Sequence, residues 1–165
     1  MRWNVSHISR LLGTDEAGHH ALRKAAQLGA LGSPGLVTDG RGTQMFGSES
    51  LFRAALLLAL HRAEVRGQVA TSAIESASSP HARAMGLGLG LTGAIAAVRD
   101  GHAVEFRRIV PGPSLPGEPL GHRGAPWWGN RFELAAAPVD PRAQSALRIN
   151  LNRVWAPAIA ATEEF

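Results

Sequence analysis

The 165-residue chain is 45% hydrophobic and 18% charged, which is enough for one buried core or two small ones and excludes a wholly disordered chain. Seventeen Lys and Arg, sixteen of them Arg, against thirteen Asp and Glu give a formal net charge of +4 and a pI near 11.2. This modest cationic surplus attracts polyanions without naming one, and the absence of cysteine excludes disulfides, thiolate zinc sites and thiol redox chemistry.

The opening Met1-Arg2-Trp3-Asn4-Val5 lacks the basic-then-apolar pattern of a secretory signal. Ile8, Leu11 and Leu12 fall at helical spacing and predict a first helix over 6–12, with Ser6 as N-cap and Gly13 as stop. Thr14 is expected to cap a second helix that reaches about Leu28, with Asp15 and Glu16 in its first turn. Leu22, Ala25, Ala26 and Leu28 or Gly29 mark its apolar face. His19, His20, Arg23, Lys24 and Gln27 are assigned to the opposite, acid-free face.

Asp39-Gly40 between two short β-prone runs, 36–38 and 43–46, predicts a hairpin with Arg41 near its tip. Ser48 is expected to cap the next helix, whose apolar stripe runs from Leu51 through Phe52 and Leu56 to Leu60. A further helix is expected over 68–77. The longest apolar run, Ala54 to Leu60, is far short of the roughly 20 residues that span a membrane. A soluble, cytoplasmic protein is the expectation.

Beyond Pro80 a second Asp-Gly hairpin is predicted at Asp100-Gly101, with Val104, Phe106 and Val110 on one face. The Pro- and Gly-rich stretch 111–130 is expected to be a long surface loop, and 132–136 another strand. Leu147, Ile149 and Leu151 alternate with Arg148 and Asn150 as in a half-buried strand, and 152–161 forms a Pro-interrupted helix. The expected class is α+β, divided into 1–47, a helical extension over 48–80 and a small α+β module over 81–165.

Helix, turn, helix, hairpin and long apolar helix is the order of a winged helix-turn-helix. The residues Ile8-Ser9-Arg10-Leu11-Leu12-Gly13, Leu22-Arg23, Leu28-Gly29-Ala30-Leu31 and Gly40-Arg41-Gly42-Thr43-Gln44-Met45-Phe46, with Ser48 and Leu51, resemble the opening of MerR-type DNA-binding proteins. The resemblance covers about residues 3–77. It implies a bacterial, nucleoid-associated transcriptional regulator that acts as a homodimer on double-stranded DNA, with no enzymatic activity and no cofactor.

A recognition helix over 14–28 fits the major groove, where Thr14, His19, His20, Arg23, Lys24 and Gln27 are positioned to meet phosphates or base edges. Arg41 and Gln44 on the wing are assigned to the DNA backbone. The plainer reading of the same cationic face is a solvated helix surface. For the aliphatic residues of the C-terminal half, packing within one subunit competes with dimerisation.

Other chemistry finds little footing. Gly88-Leu89-Gly90-Leu91-Thr92-Gly93 matches a dinucleotide fingerprint in letters, but no good strand precedes it and no acid follows at the required distance. The seven histidines are scattered without the spacing of a helix-borne metal site, and no Ser, His and acid suggest a triad. Trp127-Trp128 either grips a flat ligand or partner or lids the C-terminal core. The first alternative gives a second functional reading, a protein-interaction adaptor or antitoxin-like protein that uses the C-terminal half.

Overall fold

The computed structural model describes residues 2–32, 35–38, 43–78, 88–110, 131–136 and 144–163. It is α+β, with six helices and two small antiparallel sheets among these residues. The chain divides into two compact units, Met1–Ile74 with Arg153–Phe165, and Glu75–Asn152. No helix among the described residues is long and apolar enough to cross a membrane.

In the first unit, α1 (Val5–Leu11) is capped by Asn4, whose side chain accepts the His7 N–H at 2.8 Å. Ser6, the expected cap, is already inside the helix, whereas Asn4 has the extended backbone a cap needs. α2 (Glu16–Gln27), by contrast, is capped one residue later than expected. Asp15 accepts the Gly18 N–H at 2.8 Å, while the Thr14 hydroxyl pairs with that of Ser9 and fastens the turn to α1. Gly13, at φ +61°, takes the left-handed conformation that follows a helix end.

Leu22 and Ala25 of α2 are buried, but Leu28, assigned from sequence to the same apolar face, is 55% exposed. Gly18 is buried in α2, and a Cβ there would lie 3.2 Å from Leu58 Cδ2. Glycine therefore permits a close approach of α2 to α3 (Ser48–Arg62) at some cost in helix propensity. The helix α3 starts after Gly47 with no side-chain cap bond, so Ser48 does not cap it. Leu51, Phe52, Leu56, Leu57, Leu58 and Leu60 are all buried, so α3 is apolar nearly all round and forms the centre of the unit. α4 (Gly67–Ser78) follows.

The strands β1 (Gly35–Thr38) and β2 (Gln44–Met45) pair antiparallel as expected. Their connecting turn, with Arg41, lies outside the described residues. A second tie was not anticipated: Trp3 and Phe46 exchange backbone bonds of 2.9 and 2.8 Å, and both side chains are buried. The N-terminal segment is thereby laid along the hairpin.

The last helix, α6 (Leu151–Glu163), brings Trp155 into the core of the first unit. Its ring meets Phe52 edge-on at 5.5 Å, and its Nε1–H donates to the Phe52 carbonyl at 3.0 Å. The indole is fully buried with its single donor satisfied.

In the second unit, Gly90–Arg99 is a helix, α5, rather than an arm of the expected hairpin. Leu91, Ala94 and Val98 are its buried residues, a helical spacing, and Asp100-Gly101 ends the helix instead of turning a hairpin. The strands β3 (Glu105–Val110), β4 (Arg131–Ala135) and β5 (Gln144–Asn150) form an antiparallel sheet in the order β4-β3-β5. Phe106 stands opposite both Leu134 and Ile149 on its apolar face, with Phe132 stacked 5.7 Å away.

The other face of the sheet pairs Arg107 with Glu133 at 3.3 Å and Arg148 with Glu105 at 2.8 Å. The hydrogen bonds from Arg148 to Glu105 raise the guanidinium pKa further. Gly88 lies so close to β4 that a Cβ would sit 3.1 Å from the Leu134 carbonyl oxygen. The first glycine of the fingerprint-like run thus serves close backbone packing.

Candidate nucleic-acid interface

The capped start of α1, the middle of α2 and the second hairpin strand converge on one groove. Asn4 stands there because the Trp3–Phe46 bridge fixes the chain beside Thr43 and Gln44, and the Asn4 cap turns it into α1 at that point. α2 packs on α3 through Gly18, Leu22 and Ala25, and its outward side presents His19, Arg23 and Gln27 to the same groove. Val5, Ser6 and Ala26 complete the lining of a cavity of about 460 Å³.

Among the described residues no Asp or Glu lines this groove. Arg23 and Gln27 are exposed, and among the described residues no carboxylate pairs with Arg23. The concentration of donors from a guanidinium, an imidazole, amides and hydroxyls suits a ligand rich in acceptor oxygens.

The five donors assigned from sequence to one face of α2 are divided between two. His19, Arg23 and Gln27 line this groove, while His20 and Lys24 line a second one on the other side of the helix. Gln44 joins the first group. Thr14 lies in neither lining and directs its hydroxyl to Ser9. Arg41, Trp127 and Trp128 lie outside the described residues.

Sequence reasoning missed Asn4, Ser6 and Thr43. The usable signal was an Asn three residues before a free helix N–H together with a buried-type aromatic on each side, Trp3 and Phe46. Among the described residues no three His, Asp or Glu side chains gather as they would to hold a metal ion. Compared with known proteins, the chain matches no family model, no curated protein and no solved structure.

Proposed function

We propose that the chain is a DNA-binding transcriptional regulator of winged helix-turn-helix type, similar to MerR-type proteins, with α2 as the recognition helix and the 35–46 hairpin as its wing. The observation that carries this reading is the groove, free of acids among the described residues, in which Arg23, His19 and Gln27 of an exposed helix face stand beside Thr43 and Gln44 of a hairpin. An α-helix fits the major groove, and Arg and Gln make bidentate bonds to guanine and adenine edges. Hydroxyls and amides at the flanks of such a helix hold phosphates and fix its register. Arg41 is proposed to add a further contact to the DNA backbone. A homodimer places two such helices in successive grooves about 34 Å apart.

The test begins with capture of genomic fragments on the immobilised protein, followed by titration of the enriched duplex at rising salt. Affinity is expected to fall steeply with salt, because each neutralised phosphate releases counterion, and Arg23→Ala is expected to weaken it. Binding that ignores both salt and this substitution would refute the proposal.

A further inference from the structure

On the other side of α2 lies a larger groove of about 840 Å³, walled by α2, α3 and the start of α4 and contained within the first unit. Its floor is apolar, made by Ala17, Ala21 and Leu28 of α2, Leu57 of α3, and Val65 and Ala70 beyond it. The volume falls within the roughly 300–1,000 Å³ of small-molecule sites, which combine an apolar lining with a few convergent polar groups.

Four donors stand around this floor: His20, Lys24, His61 and Arg66. Among the described residues none of the four has an ion-pair partner. Asp15 and Glu16 also line the groove, but both sit at the N-terminus of α2, whose dipole offsets negative charge, and Asp15 is engaged by the Gly18 N–H. Lys24 and Arg66 match Asp15 and Glu16 in formal charge, but the carboxylates sit at the N-terminus of α2 while Lys24 stands about two turns further along it, so its charge is separated from theirs beside the apolar surface.

We infer that this groove binds an amphipathic anion, a carboxylate with an apolar tail. The tail covers Ala21, Leu28 and Leu57, and the head is held by the cations at the rim. Because α2 walls both grooves, a carboxylate bound beside Lys24 and His20 places negative charge one residue from Arg23 and His19. It thereby weakens their attraction for phosphates. This coupling, unlike the binding itself, rests on the DNA-binding reading above.

The probes are hexanoate, octanoate and decanoate, each below its micelle concentration, with decyltrimethylammonium as the cationic counterpart, measured by calorimetry on the full chain without DNA. One site is expected, with affinity rising up to about fourfold per methylene and at least about tenfold weaker binding of the cation. Ala21→Phe, which fills the floor, is expected to abolish decanoate binding. Lys24→Glu with Arg66→Glu, both at exposed positions, is expected to reduce it about tenfold or more while the melting temperature stays near native. Equal binding of anion and cation, affinity independent of chain length, or a folded Ala21→Phe that binds like the native chain would overturn the inference.

A final arm adds decanoate to the protein and its captured duplex. Loss of duplex binding in the native chain but not in Ala21→Phe supports the coupling, and unchanged duplex binding overturns it. A chain that binds decanoate but no duplex refutes the DNA-binding reading and leaves the carboxylate site standing.

Discussion

The two grooves that flank α2 share one helix as a wall and differ in what they offer. The smaller is polar, without acids among the described residues, and closed by the start of α1 and by the hairpin. The larger is floored by alanine and leucine, closed by α3 and the start of α4, with charge only around it. Successive residues of a helix point about 100° apart, so His19 and His20, or Arg23 and Lys24, are neighbours in the chain that serve different surfaces. A run of donors along a helix is therefore not one surface until the elements packed on either side are known.

The substitution with the largest expected effect removes the contrast altogether. Leu22 is fully buried beneath α2, and Leu22→Ala should cost about 2–5 kcal/mol through lost burial and the cavity left behind. Urea unfolding would register this loss, and both binding activities should weaken together as α2 loosens.

Next come two substitutions that should separate the grooves. Arg23→Ala is expected to cost about 1–3 kcal/mol of duplex affinity, as for loss of a bidentate contact, and to leave decanoate binding near native. Lys24→Ala should show the reverse preference, weakening decanoate severalfold. It should reduce duplex affinity only by the smaller, salt-sensitive amount of one peripheral cation. Titrations of both variants with both probes check the pair, and equal effects on the two ligands would erase the distinction.

The smallest expected effect is at the shared end of the helix. Asp15→Ala removes the cap from Gly18 and should cost about 1 kcal/mol of stability. Both sites should persist, because the helix keeps its packing on α3. A shift of the urea midpoint is the expected result, with duplex binding unchanged and decanoate binding no weaker, since a carboxylate of the larger groove is removed.

Much of the first unit could be read from local chemistry. The helices, the hairpin and the glycine that ends α1 each carry a signal within a few residues, and the cap positions differ from expectation by one or two residues, whereas the donors of α2 divide between two faces. Ser6, Thr14 and Ser48 look like caps, but the caps fall at Asn4, Asp15 and the capless Gly47. Several residue types are competent to cap, and the choice among neighbours depends on backbone conformation, which the chain settles only on packing.

What was not legible came from contacts distant in sequence. The Trp3–Phe46 bridge, which completes the polar groove, joins residues 43 positions apart. Trp155 reaches the first core across an even longer separation. Around Asp100-Gly101 one dipeptide serves equally as a hairpin turn and as a helix stop. The helical spacing of Leu91, Ala94 and Val98 is what distinguishes the two. On the sheet, by contrast, the alternation of Leu147 and Ile149 with Arg148 and Asn150 was a sound signal, because the two faces meet different surroundings, although Leu151, assigned to the same strand, begins α6.

The measurement closest to the central claim is amide chemical-shift mapping of the full chain during titration with its captured duplex. The account predicts shifts concentrated at Asn4 to Ser6, at His19, Arg23 and Gln27, and at Thr43 and Gln44, with Leu57, Val65 and Ala70 of the opposite groove nearly unmoved. Shifts centred on the larger groove or on the β3–β5 sheet, or none at any salt, would contradict it.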